Sequence, residues 1–234
     1  MSGGRQERFA AYVDALAEVI GHADRAAPLR DYCLGLLLPG DRKSVEPIAA
    51  ITAPARVSAK HQSLLHFIAH APWSSERVLG RIQELTLPII EQRDAIEAWI
   101  IDDTGFAKKG RHSVGVARQY CGQLGKRDNC QIAVSLSLAN HAARLPVAWR
   151  LYLPLEWTAD AARRAAAGIP ETVGFLTKPE IALAQIRAAW AAGLPRGVVL
   201  MDAGYGANTW LREEIGALGL TYSPVSCRRP RCGR

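Results

Sequence analysis

Apolar positions in the first third of the chain recur at helical spacing. Phe9, Val13, Leu16 and Ile20 fall on one face of a helix. Leu34 to Leu38 is a second apolar stretch, and it stops at Pro39-Gly40, a pair that breaks regular structure. Ser63 to Ala71, with Leu64, Leu65, Phe67 and Ile68, predicts a helix ending before Pro72. Ser75 to Glu84 predicts another, with Val78 and Ile82 on one face. Residues 1–95 are therefore expected to form a helical N-terminal module.

From about residue 96 the period drops to two. Val114, Val116, Arg118 and Tyr120 alternate with their neighbours. Ile132, Val134, Leu136 and Leu138 alternate with Ala133, Ser135 and Ser137, and Val147, Trp149, Leu151 and Leu153 repeat the pattern. This is the signature of half-buried antiparallel strands. Turns are expected from Gly122 to Asn129 and around Asn140-His141, and an exposed excursion from Glu156 to Gly168. Thr177-Lys178-Pro179-Glu180 is a capping box. It opens a helix with Leu183, Ile186 and Trp190 on one face, closed by Gly193. Asn208 starts a last helix through Leu211, Ile215 and Leu218; Gly219 ends it, and Leu220 to Tyr222 begins a strand. A meander followed by alternating helix and strand predicts a mixed α/β sheet over 96–222.

Two apolar runs end in carboxylates. Trp99-Ile100-Ile101 leads into Asp102-Asp103-Thr104-Gly105, and Val198 to Met201 leads into Asp202-Ala203-Gly204. A buried strand that ends in Asp aims a carboxylate from a rigid base. The pair suggests one acidic site assembled from distant parts of the chain. Adjacent strand residues point to opposite faces, so Asp102 and Asp103 cannot both serve one site while the strand is regular.

Composition adds a partner class. The 234 residues carry a net charge of +7 and a pI near 9.4, which favours a polyanion such as nucleic acid. Basic residues of the helical module, Arg42, Lys43, Arg56, Lys60, Arg77 and Arg81, are candidates for DNA phosphates or a merely solvated surface. Cys33, Cys121, Cys130, Cys227 and Cys232 lack Cys-x-x-Cys spacing, which fits a reducing cytosol. His66 and His70 stand at i, i+4 without the Glu of a zinc-protease motif. No apolar run approaches the roughly 18 residues of a membrane span.

Ile101-Asp102-Asp103-Thr104-Gly105-Phe106, Lys108-Lys109-Gly110 and Ser113 to Tyr120 together resemble the catalytic domain of DDE-type bacterial insertion-sequence transposases. So do Asn129-Cys130-Gln131, Trp149 to Pro154 and Met201 to Gly206, the resemblance running from about residue 10 to 222. It implies a ribonuclease H-like core in which Asp102 and Asp202 are the first two catalytic acids and metal ligands. Asp102 is preferred because the family's pattern is Asp, any residue, Thr; Asp103 and Thr104 are the alternative or supporting residues. Two Mg²⁺ (or Mn²⁺) ions about 4 Å apart serve in-line displacement at phosphorus. The implied partners are DNA, as transposon ends and target, and further copies of the chain on that DNA, in the bacterial cytoplasm at the nucleoid and not at a membrane. Lys108, Lys109, Arg111, Arg118, Lys126 and Arg127 are the candidate phosphate contacts.

The pattern breaks at the end. The family's third acid is a Glu on a later helix, whereas Glu213 and Glu214 follow Asp202 too closely. Residues 223–234 turn Arg- and Cys-rich, the composition that out-of-frame reading of GC-rich DNA yields. The expectation is an incomplete catalytic core, a truncated and inactive copy with a frameshifted basic tail. The alternatives are a non-catalytic DNA-binding fragment that competes for transposon ends, and a haloacid dehalogenase-like phosphohydrolase with Asp102 as nucleophile. The latter wants Asp-x-Asp on one strand face, which adjacent carboxylates do not give.

Overall fold

The structure, a computed structural model, describes residues 3–224. Most of the segment expected to be a frameshifted tail, residues 225–234, lies outside the described residues. The chain divides into two compact units at Pro88/Ile89.

The first unit is helical: α1 (Gly3–Ala17), α2 (Ala26–Leu37), α3 (Val45–Thr52), α4 (Val57–Ala69) and α5 (Ser75–Glu91). Val13, Leu16, Ile20, Leu29 and Phe67 form its core, with Val78 and Ile82 packed against them. Ile48, Ala49 and Leu64 make a second, smaller cluster where α3 meets α4. Pro88 lies inside α5, at the boundary between the units. It supplies no backbone N–H and crowds the preceding turn, which weakens locally the helix that starts at Ser75 and runs to Glu91. Some cations of this unit are engaged within it. Lys60 pairs with Asp31, Arg81 binds Glu18 at 3.1 Å and Glu84 at 3.0 Å, and Lys43 donates to the Gly35 and Leu38 carbonyls.

The second unit is built on a six-stranded mixed sheet. Its strands are β1 (Ala98–Ala107), β2 (Ala117–Cys121), β3 (Lys126–Ala139), β4 (Arg144–Tyr152), β5 (Val198–Met201) and β6 (Tyr222–Pro224). β3 runs antiparallel to β1, β2 and β4, while β5 runs parallel to its two neighbours, β1 and β6. Cys130 pairs with Ala107 on one side and Ala117 on the other. β2 therefore lies on the β4 side of β3, in line with β4. Without β2 the order β4-β3-β1-β5-β6 is that of a ribonuclease H-like sheet, so β2 is the additional meander strand.

Among the described residues this unit also has α6 (Leu155–Thr158), α7 (Ala161–Ala166), α8 (Lys178–Ala191), α9 (Ala203–Gly206) and α10 (Thr209–Ala217). Thr177 caps α8 through a complete capping box with Glu180. One sheet face carries Trp99, Ile101, Val134, Leu136, Leu138, Val199 and Met201, all buried. It packs under α8, whose Ile181, Leu183 and Ile186 are buried, and α10, whose Leu211 and Ile215 are buried, lies against α8. Trp190, expected on that buried face, is 40% exposed in the last turn of α8. The 156–168 segment is not wholly an exposed excursion. Trp157 is buried, its indole N–H donating to the Val116 carbonyl at 2.8 Å, with the Arg163 guanidinium over its ring.

Candidate active site

The parallel pairing of β1 and β5 brings the two candidate aspartates to neighbouring positions. It runs from Ala98 opposite Val198 to Ile101 opposite Met201 and stops there. Asp102 and Asp202 are the next residues on the two strands, whose axes are about 4.8 Å apart. Gly197 makes this register possible. A Cβ there would lie 2.6 Å from the Ala98 nitrogen and 2.7 Å from the Glu97 carbonyl carbon, so only glycine lets β5 begin this close to β1. The first strand does not end at its aspartates as expected. β1 continues to Ala107 because the 14 residues of β3 provide a partner along its full length. Asp102 is thus a mid-strand residue and Asp202 a strand end. The crevice between them opens where β5 parts from β1, at the carboxyl end of a parallel pair, where open α/β sheets bind ligands.

The three carboxylates have different surroundings. Asp102 is exposed and accepts the Asp103 backbone N–H at 2.8 Å. Asp202 is exposed and caps α9 by accepting the Tyr205 N–H at 3.1 Å. A Cβ at Gly204 would stand 3.2 Å from its Oδ1, so glycine there leaves the carboxylate room. Each backbone bond leaves lone pairs on both groups for a ligand, and among the described residues no ion pair reaches either. Asp103 is committed. Lys178 Nζ bonds its Oδ2 at 2.5 Å and the Tyr205 hydroxyl donates to its Oδ1. Tyr205 is 4% exposed. Burial, and then the negative charge of Asp103, Asp202 and Asp102, pushes its phenol far above the usual tyrosine range. It stays a neutral donor at any ordinary pH. Asp103 is thereby locked on the α8 side, opposite to the crevice-facing side of the strand. Thr104 is half-buried on the same face as Asp102.

The cationic residues occupy two linked places. Lys108, Lys109 and Arg111 are exposed on the loop that follows β1; Arg118 lies on β2, and Lys126 and Arg127 open β3. Asn129 joins the two groups. Its side-chain amide donates to the carbonyls of Lys108 at 2.8 Å and Gly110 at 2.9 Å, and its own carbonyl accepts the Lys108 N–H at 2.9 Å. Gln131 donates to the Val114 carbonyl at 2.5 Å. Lys126 is paired with Asp128 at 3.1 Å, which lowers the Asp128 pKa together with the Asn129 backbone bond, the larger cause.

Sequence reasoning passed over Lys178, Tyr205, Asn129 and Gln131 as site residues. Tyr205, Asn129 and Gln131 stood inside the motifs that carried the resemblance, but their bonds run to residues distant in sequence. Asp94, Glu97 and His141 form an exposed group close enough to share an ion, at the amino end of β1 and away from the Asp102–Asp202 crevice. Among the described residues no helix is long and apolar enough to cross a membrane.

A ribonuclease H-like sheet with two acidic residues at the parting of its first and fourth core strands defines a class of nucleic-acid enzymes. Within that class the chain belongs to the DDE superfamily endonucleases, whose family model matches residues 15–228. It is also 34% identical, over 167 residues, to a probable transposase for insertion sequence element IS701 of Microchaete diplosiphon. That match covers 71% of this chain and 40% of the relative, so the chain matches less than half of the relative's length.

Proposed function

We propose that these residues are part of an insertion-sequence transposase that cuts and joins DNA strands with divalent-cation help, and that Asp102 and Asp202 are its cation ligands. The observation that carries this is the register: Ile101 opposite Met201 puts two exposed carboxylates side by side while the adjacent Asp103 is held by Lys178 and Tyr205. The donor set fits a hard cation, since carboxylate oxygens are what Mg²⁺ and Mn²⁺ prefer. When bound, such ions activate the attacking oxygen and stabilise the leaving one at phosphorus. The chain's own part is to hold Asp102 and Asp202 on rigid strands, to keep Asp103 out of the crevice, and to present Lys108, Lys109, Arg111, Arg118 and Arg127 to DNA phosphates. Lys126, paired with Asp128, is the weaker candidate of that set.

We do not assign the family's third acid to α10, which lies between β5 and β6 and follows Asp202 closely rather than later in the chain; of its two acids Glu214 is bonded to Arg187 at 2.5 Å and Glu213 is exposed. DNA cleavage by these 234 residues alone is therefore expected to be absent with Mg²⁺ or Mn²⁺, and their activity to be DNA binding. Cation binding is the direct test. Titration with Mn²⁺, followed by the free-ion paramagnetic resonance signal, should give binding that falls at least about tenfold in Asp102→Ala and in Asp202→Ala, each of which removes one of only two carboxylate ligands. Asp103→Asn should stay close to wild type. Loss of binding in Asp103→Asn with none in Asp102→Ala would reverse the assignment. A haloacid dehalogenase-like reaction finds no support, because Thr104 stands where its second acid is needed.

A further inference from the structure

Asn129 and Gln131 share the sheet face of Asp102. β3 positions 129, 131, 133 and 135 project to one side, and Ser135 is the register partner of Asp102. From that face the two amides hold the loop after β1 by its carbonyls, at Lys108, Gly110 and Val114. A further bond, from the Trp157 indole to the Val116 carbonyl at 2.8 Å, fixes the point where the chain turns into β2. Four carbonyls of a nine-residue connection are thus fixed by side chains from β3 and α6. Lys108, Lys109, Arg111 and His112 are all exposed on it. A loop with this many cations would ordinarily be mobile, and ordering its side chains on a ligand would cost entropy.

We propose that Asn129 and Gln131 are positioning residues that clamp the 108–114 loop as a pre-formed phosphate-binding arm on the Asp102 face of the sheet. This rests on the transposase reading for the identity of the polyanion, though the clamp can be tested without it. From Ser135 to Gln131 and Asn129 is about 14 to 20 Å along β3 at 3.4 Å per residue. At one phosphate per about 3.4 Å of axis on a strand, the arm would hold phosphates roughly four to six nucleotides from those at the carboxylates. Its role would be to set where along the strand the crevice falls, and the duplex would be held without any base being read.

The test uses the full chain and a 20-base-pair duplex of arbitrary sequence, with affinity measured from low to moderate salt. The Lys108→Ala/Lys109→Ala/Arg111→Ala variant should lower the slope of log affinity against log salt by about two to three, the value for three phosphate contacts. Asn129→Ala and Gln131→Met keep every cation, yet should each weaken binding several-fold. Asn129→Ala should add nothing further in the triple-variant background, because the clamp acts only through those cations. A merely structural role would give additive losses and an unchanged salt slope, and would overturn the proposal. Backbone order parameters of the free protein test the clamp alone. Those of 109–113 should fall towards the flexible range in Asn129→Ala while those of β1 and β5 do not change. Unchanged order parameters in the loop overturn the clamp. A loosened loop, with no DNA binding by the wild-type chain at low salt, overturns instead the phosphate-binding role and the transposase reading beneath it.

Discussion

At the scale of single residues, two neighbouring carboxylates are separated by what surrounds them. Asp103 is balanced by a lysine and a tyrosine, and Asp102 is left with a single backbone donor. The alternation of side chains along a strand made it legible that only one of the pair could face the crevice. Which one was read from a motif, because the partners that occupy Asp103 come from α8 and α9, some 75 and 102 residues further along the chain. Tyr205 gives this a pH signature. Its phenol ionises far above the usual range in the fold but near pH 10 when the chain unfolds. Its contribution is therefore complete below about pH 10 and is lost as pH rises beyond it, where the unfolded state releases the proton first. Tyr205→Phe should cost about 1–2 kcal/mol at neutral pH through the lost bond to a charged group. It should also flatten the decline of melting temperature above pH 10. Tyr12 and Tyr152, also raised by burial, preserve part of that decline. A variant that melts as steeply with alkali as wild type would exclude Tyr205 as its source.

At the scale of elements, what was legible was local. The Thr177 box needs four consecutive residues, and it caps α8 as its sequence predicts. The strict alternation from Ile132 to Leu138 gave the central strand, because that strand is sandwiched between β1 and β4 and packed under α8. The ends of elements were less legible. β3 starts at Lys126, inside the expected turn, since pairing with β2 stabilises residues that are individually polar. Val114 and Val116 alternate like a strand but lie in the connection before β2, where the Gln131 amide and the Trp157 indole satisfy their carbonyls in place of a ladder. Trp157 was placed in an exposed segment because its burial depends on Val116, 41 residues away. Thr177→Ala should cost about 1 kcal/mol at pH 7, the typical loss of a helix N-cap. The Glu180 half of the box has a direction in pH. Bonds from the Thr177 hydroxyl and backbone hold the Glu180 carboxyl below its usual range. Its contribution is present above that range and is lost as pH falls through the lowered value. The penalty for Thr177→Ala, measured by denaturant unfolding, should therefore shrink at pH 3. A penalty independent of pH would mean that the two halves of the box act separately.

At the scale of the whole molecule, composition and architecture bear on function through charge. The chain carries +7 overall, yet its candidate site is acidic. On the proposed reading, DNA approaches two carboxylates that repel it, and the exposed cations on the loop after β1 and on β2 and β3 offset that repulsion. The sign of the carboxylates' effect on DNA binding should then depend on the cation. With a chelator present, Asp102→Ala and Asp202→Ala each remove a negative charge beside the phosphates and should bind a duplex about two- to five-fold more tightly than wild type, the size expected for one screened charge. With several millimolar Mg²⁺ or Ca²⁺, wild type should gain affinity, since a bound cation converts the repelling pair into an attracting one. The variants, lacking a ligand, should gain little. The order of affinities should reverse between the two conditions, read by fluorescence anisotropy at one fixed ionic strength so that screening is the same throughout. Total salt changes alone weaken all three proteins in parallel through counterion release, and cannot produce a reversal. An order that stays the same with and without divalent cation would mean that Asp102 and Asp202 do not meet DNA through a shared ion. The crevice at the parting of β1 and β5 would then have to be sought a different ligand.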